Sequence, residues 1–131
     1  MARNPARPLS PHLGIWKPGI HMVVSILNRV MGVGLATVGV MMFVWWLNAA
    51  ANGAQSYAYF MSWAKSWLGY VVFIGLIYVF FFHMLAGIRH FVMDVGAGFE
   101  LKLNRSWAWA TMIAPVLLTG LVWLIILQKG L

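Results

Sequence analysis

Three long stretches of the sequence are apolar and carry no charged residue: 30–64, 67–88 and 107–128. About 20 apolar residues in a helix cross the roughly 30 Å hydrocarbon layer of a bilayer, so each stretch is long enough to span it. The pattern therefore predicts an all-α membrane protein with three transmembrane helices, at 20–47, 63–95 and 106–128.

The segments between these helices have their own local signals. Four of the five prolines fall in 1–19, which predicts an extended, irregular N-terminal arm. Residues 48–62 are uncharged and rich in small residues, which predicts a loop with a short interfacial turn near Tyr57 and Tyr59. Gly96 and Gly98 predict the end of the second helix, before a polar loop at 96–105. In the C-terminal part of the chain, Ser106 is the predicted N-cap of the third helix, Pro115 is predicted to kink that helix, and residues 129–131 are predicted to form a short tail.

Composition supports a membrane protein, because 63% of the residues are hydrophobic and only 8% are charged. A soluble domain carries about a quarter charged residues. The net charge of +7 comes from nine Lys and Arg against Asp94 and Glu100. These bases cluster at helix ends, which favours contact with anionic lipid headgroups over a nucleic-acid partner. With no cysteine, this chain cannot itself ligate an iron–sulfur cluster.

The distribution of bases outside the helices predicts the orientation. The arm and the second loop are basic, whereas the region around the first loop and the tail each have one lysine. The bases of the arm and second loop are Arg3, Arg7, Lys17, Lys102 and Arg105, against Lys65 and Lys129 on the other side. By the positive-inside rule the N-terminus is expected on the cytoplasmic side and the C-terminus on the outer side. We expect the membrane to be the inner membrane of a bacterium, which makes the C-terminus periplasmic.

One polar stripe lies within the second predicted helix. His83, Gly87, His90 and Asp94 are spaced at 0, 4, 7 and 11 residues, so they share one helix face. A histidine buried in hydrocarbon stays neutral, and neutral imidazole is the form that binds haem iron. Gly87 leaves room for a flat macrocycle beside the helix. The alternative for His83 is a hydrogen bond to a neighbouring helix.

A six-coordinate haem would need a second axial ligand, which this chain does not offer. His90 lies on the same helix face as His83, and His21 lies at the edge of the first helix, too shallow to meet it. We therefore expect the second ligand to come from another subunit.

The first predicted helix carries a second polar stripe of Ser25, Asn28, Arg29 and Gly32. Arg29 is about nine residues into the helix, roughly 13 Å deep by helical rise. A charge at such depth is costly unless it is paired or reaches the interface, and Arg29 could do either. A hydroxyl and a guanidinium at i and i+4 can together hold a propionate oxygen or the carbonyl of a quinone.

At these residues the sequence closely resembles the cytochrome b membrane-anchor subunit of succinate dehydrogenase, respiratory complex II. One signature is the stretch 83–96, with His, three residues, Gly, an aliphatic residue, Arg-His and a closing Asp. The other is Arg-Pro-Leu-Ser-Pro-His-Leu at 7–13, leading into Ser25 and then Asn28-Arg29 and Gly32. The family usually has His where this chain has Asn28.

The resemblance implies a role for each matching residue. His83 is the expected axial ligand of haem b, in half of a heterodimeric haem-binding anchor bundle. His90, Arg29 and Gly87 are expected near the haem, the first two at its propionates. Ser25 and Arg29 are expected to bind quinone, and Asp94 is a candidate for proton delivery.

The resemblance also implies partners: a second anchor subunit, an iron–sulfur subunit and a flavoprotein with FAD. Electrons from succinate would pass through flavin and iron–sulfur clusters to quinone. The chemically closest rival is the anchor of a fumarate reductase, which runs the same reaction in reverse. A haem-free structural or assembly subunit and a small transporter are rivals of other classes.

Overall fold

The computed structural model describes residues 4, 6–8, 14 and 16–129. Most of the predicted N-terminal arm, including 9–13 of the resemblance, and the last two residues of the predicted tail lie outside this part of the chain. The described chain is helical, with three helices long and apolar enough to cross a membrane. The predicted all-α fold with three membrane-spanning helices is thus confirmed.

The first spanning helix, α1, runs over Ile20–Ala51, four residues past its predicted end at 47. It contains one π-helical segment, Leu35–Gly39. Within that segment the Thr37 hydroxyl donates a hydrogen bond to the Val33 carbonyl over 2.8 Å. Such bonding back to the preceding turn competes with the regular helical ladder and accompanies the wider turn.

The prediction of a loop over 48–62 was wrong, because most of this segment is a short helix, α2, over Ala54–Ala64. Gly53 makes the turn between α1 and α2 with φ at 92°, a conformation open to glycine. An aromatic cluster then holds α2 against the spanning helices. Trp45 of α1 lies 5.0 Å, ring centre to ring centre, from both Phe60 and Trp63 of α2.

The second spanning helix, α3, covers Trp67–Asp94, and the Ser66 hydroxyl caps it by accepting from the Gly69 amide over 3.2 Å. Its other end is a Schellman motif. The Gly96 amide donates to the Met93 carbonyl and the Ala97 amide to the Val92 carbonyl. Gly96 has a φ of 84°, so the helix ends at a residue that tolerates the left-handed region.

The third spanning helix, α4, covers Leu101–Gln128 and so begins five residues before its predicted start. The prediction of Ser106 as an N-cap was wrong. Glu100 occupies the cap position, and the Ser106 hydroxyl donates to the Lys102 carbonyl inside the helix. The helix continues through Pro115, which is fully buried.

The three long helices pack together around a small core, where Val24 of α1 meets Phe82 and Ala86 of α3 and Ala108 of α4. The two alanines allow the helix backbones to approach closely, as is common between helices in membranes. Most other large apolar side chains point outward and are exposed in the single chain. Such a surface is suited to lipid and to partner helices.

Candidate functional site

His83 lies where α3 touches α1. Its Nδ1 atom is 3.3 Å from the backbone carbonyl oxygen of Asn28. The imidazole edge also lies against Gly32, where an added Cβ would come within 2.9 Å of the ring carbon Cε1. The ring therefore fits against α1 because residue 32 has no side chain.

The contact with Asn28 decides which imidazole nitrogen carries the proton. A carbonyl oxygen can only accept a hydrogen bond, so Nδ1 must be the donor. In a neutral ring the lone pair then lies on Nε2. Histidines that bind metals are commonly oriented by a bond from the second ring nitrogen to a backbone carbonyl. The site therefore contains an oriented imidazole with one nitrogen available to a ligand.

The surroundings of His83 on α3 are open. The side chain is exposed in the single chain, although it belongs to the middle part of a spanning helix. One turn further, a Cβ added at Gly87 would meet no other group within 4 Å. His90 and Asp94 continue along the same face and are also exposed. This face of α3 thus offers an imidazole beside free space.

The polar stripe on α1 meets the polar stripe on α3 where Gly32 contacts His83. Ser25 is half-buried and Arg29 is exposed. Ser25 precedes Gly32 by seven residues on α1, and His90 follows His83 by seven residues on α3. Because α1 and α3 run in opposite directions, Ser25 and His90 lie toward the same end of the bundle. Each is about 10 Å along its helix from the contact. A hydroxyl, a guanidinium and a second imidazole therefore lie toward one end of the α1–α3 pair.

Arg89 is the polar residue whose environment the sequence did not predict. It is 6% exposed and faces α4. Its guanidinium donates to the Asn104 side-chain oxygen over 2.7 Å, and the Asn104 amide group donates to the Gly98 carbonyl. Arg89 thus fastens the loop and the start of α4 to α3.

The other histidines in the described part of the chain, His21 and His90, do not form a metal site with His83. His21 folds back over Gly19 at the start of α1, His90 is two turns away on α3, and His12 lies outside the described residues. Within 16–129 no group of three His, Cys, Asp or Glu side chains could hold a metal ion. If iron bound at His83, the described part of this chain would supply one ligand, His83 itself.

Comparison with known proteins identifies the family. Residues 3–122 match the family described as succinate dehydrogenase/fumarate reductase transmembrane subunit. The chain is 37% identical over 117 residues to the succinate dehydrogenase cytochrome b556 subunit of Rickettsia conorii, covering 89% of this chain and 90% of that one.

Two further relatives agree. The cytochrome b556 subunit of Paracoccus denitrificans succinate dehydrogenase is 33% identical over 115 residues, 88% of each chain. The cytochrome b560 subunit of Reclinomonas americana succinate dehydrogenase is 28% identical over 127 residues, 93% of this chain and 88% of that one. The chain therefore belongs to the family of succinate dehydrogenase and fumarate reductase transmembrane subunits.

Proposed function

We propose that this chain is the membrane-anchor subunit of a succinate dehydrogenase that binds haem b with a second anchor subunit and helps to form a quinone-reduction site. The curated relatives described above are all cytochrome b subunits of succinate dehydrogenases, which supports this function over that of a fumarate reductase anchor.

The observation that carries the proposal is the exposure of the oriented His83 imidazole within a spanning helix. Its Nδ1 donates to the Asn28 carbonyl, which leaves Nε2 as the basic nitrogen. A histidine that only joined two helices would make the same hydrogen bond in the same tautomer, so the bond alone does not separate the two roles. A histidine with only that structural role would, however, be covered by its neighbours. This imidazole is instead exposed within a spanning helix.

The residues around His83 fit a haem. Gly87 has free space beside it, and Gly32 lets the ring keep its position against α1. In this proposal His83 would hold the haem iron through Nε2, and the second anchor subunit would supply a further ligand. When bound, the haem supplies a centre that accepts and returns single electrons. His90 and Arg29 are the proposed partners of its propionates.

Ser25 and Arg29 are the proposed quinone-binding residues. The Ser25 hydroxyl and the Arg29 guanidinium can both donate to a quinone carbonyl oxygen, and a charged donor also stabilises negative charge that develops there. Reduction of a quinone to a quinol takes two electrons and two protons. Asp94, exposed and on the His83 face, is the proposed group for proton delivery.

The electrons must come from partner subunits, because this chain has no cysteine for an iron–sulfur cluster and consists mainly of membrane-spanning helices. Oxidation of succinate to fumarate on a flavoprotein would release two electrons and two protons. The electrons would pass through FAD and the clusters of an iron–sulfur subunit, on the cytoplasmic side of a bacterial inner membrane.

The test is to purify the chain from native membranes with the subunits that remain bound. We expect a flavoprotein and an iron–sulfur protein to co-purify, succinate to reduce a soluble quinone, and dithionite to produce the sharp absorption band of a reduced b-type haem. Co-purified subunits without the haem band would instead favour a haem-free anchor. Absence of succinate-dependent quinone reduction in an intact complex would contradict the proposed function.

A further inference from the structure

A second polar site lies at the end of the bundle where α1 and α4 begin. It is a cleft of about 540 Å³ between the two helices. Lys17, His21 and Arg105 supply its charged or ionisable side chains, and no acidic residue of the described chain lines it. None of these three residues belongs to the polar stripes around His83. The cleft is therefore a polar site separate from the one around His83.

The backbone adds to the positive character of this cleft. Gly19 and Leu101 both line it, so the first turns of α1 and α4 converge there. Neither helix start has a hydrogen bond from a capping side chain. The free amides at a helix N-terminus carry about half a positive charge. Glu100 precedes Leu101 but is exposed and is not part of the cleft wall.

The rest of the wall is apolar and continues down the helices. Val23 on α1 and Trp109 on α4 both line the cleft. Trp109 is eight residues beyond Leu101, about 12 Å along the helix at 1.5 Å per residue. Both residues belong to helices that are apolar enough to span a membrane. The cleft is thus basic at its rim and apolar toward the bilayer interior.

We propose that this cleft binds the headgroup of an anionic phospholipid, with its phosphate between Lys17 and Arg105 and the upper part of an acyl chain along Trp109. A phosphate group complements the two cations and the free helix amides. Inorganic phosphate would satisfy the rim but not the apolar wall. An acidic surface of a soluble partner could cover the rim but could not follow the wall into the bilayer.

The test is lipid binding to the full chain, purified in mild detergent with its bound subunits, stripped of lipid and titrated while native mass spectrometry counts bound lipids. Phosphatidylglycerol is the anionic probe and phosphatidylcholine the zwitterionic one. We expect the Lys17→Gln/Arg105→Gln variant to bind phosphatidylglycerol roughly 30-fold more weakly, with phosphatidylcholine binding unchanged.

Two variants serve as controls. Lys65→Gln/Lys129→Gln removes the same charge from exposed positions outside the cleft and should bind phosphatidylglycerol like the unmodified protein. Lys17→Arg/Arg105→Lys keeps both charges and should retain most of the binding, which separates lost charge from misfolding.

Three results would overturn the proposal. The first is equal binding of the two lipids by the unmodified protein. The second is displacement of phosphatidylglycerol by excess inorganic phosphate, which would identify a phosphate site. The third is loss of a bound subunit, with lipid binding unchanged, in Lys17→Gln/Arg105→Gln, which would assign the cleft to a protein partner.

Discussion

At the scale of single residues, the centre of the site is defined by the absence of a side chain. The imidazole of His83 reaches the Asn28 carbonyl because Gly32 leaves the space between them. Asn28 has its own unusual feature, since its side-chain oxygen is buried without a hydrogen-bond partner among the described residues. One face of α1 therefore contains both the acceptor that orients His83 and a buried polar atom beside it.

Replacement of Gly32 by Ala should disturb the haem site while leaving the fold intact. The new Cβ would lie 2.9 Å from His83 Cε1, so the ring must move away from α1 and loses its bond to Asn28. We expect a shifted reduced-haem band and lower haem content in the purified complex. Gly34→Ala is the matched control, because a Cβ there meets nothing within 4 Å. Equal spectra for the two variants would contradict the geometry.

Ser25→Ala and Arg29→Ala should separate quinone reduction from succinate oxidation. Loss of a donor to a quinone carbonyl should lower succinate–quinone activity roughly tenfold or more. Succinate oxidation by a soluble dye that accepts electrons from the partner subunits should be nearly unchanged. Ser106→Ala, a serine bonded within its own helix, controls for loss of a hydroxyl. Equal loss of both activities would mean that Ser25 and Arg29 are structural.

At the scale of elements, the corner between α2 and α3 depends on close backbone packing. A Cβ on Gly69 would overlap the carbonyl oxygens of both Trp63 and Ala64. These are backbone atoms, so they cannot rotate away as a side chain could. The corner also holds the aromatic cluster, because Trp63 packs on Phe73 of α3 at 6.2 Å between ring centres.

Gly69→Ala should therefore destabilise the protein. Overpacking of this kind costs about 1–3 kcal/mol, and we expect a clear fall in the melting temperature of the purified complex. Gly75→Ala, on the same helix with nothing within 4 Å of its Cβ, should leave the melting temperature equal or slightly higher. A Gly69→Ala protein as stable as the Gly75→Ala protein would show that the corner is less tightly packed than described.

The long helices could be predicted from the sequence because hydropathy acts over some 20 residues, whereas α2 and the true start of α4 could not. Residues 54–64 contain no proline or glycine and can form a helix, but their small and uncharged residues are equally typical of a loop. At α4, Ser106 is a good N-cap by type. The helix nevertheless begins earlier, where Asn104 bonds to the buried Arg89 of α3. Such a tertiary contact has no local signal.

The candidate site likewise has features that the sequence could predict and features that it could not. Helical spacing was enough to predict that His83 and Gly87 share a face, and that Ser25 and Arg29 share another. It could not predict that the carbonyl of Asn28, 55 residues before His83, would orient the imidazole. The acceptor belongs to the backbone, which every residue has, so no residue type indicates it. Only the packing of α1 on α3 selects that carbonyl.

At the scale of the whole molecule, three basic residues, Lys17, Lys102 and Arg105, lie at one end of the described chain. The cleft with Lys17 and Arg105, and the connection between α3 and α4, lie at the end where α1 begins. The turn into α2 and the end of α4 lie at the opposite end. We expect the basic end to face the cytoplasm, where the partner subunits would bind.

The absence of cysteine allows this orientation to be tested with single introduced cysteines. Ala97→Cys lies between α3 and α4, and Gln55→Cys lies in α2, and both positions are exposed. In cells with a permeable outer membrane, a membrane-impermeant maleimide should label Gln55→Cys but not Ala97→Cys. Inverted inner-membrane vesicles should give the opposite result. The reverse pattern in both preparations would overturn the proposed orientation.

The haem content of the purified complex tests whether His83 binds haem iron. We expect the purified complex to contain one b-type haem per copy of this chain, and the His83→Gln complex to have lost most of it while retaining its subunits. His90→Gln, which removes an imidazole two turns away on the same face, should keep its haem. Full haem content in His83→Gln, with an unchanged reduced spectrum, would show that His83 is not a ligand of the haem iron.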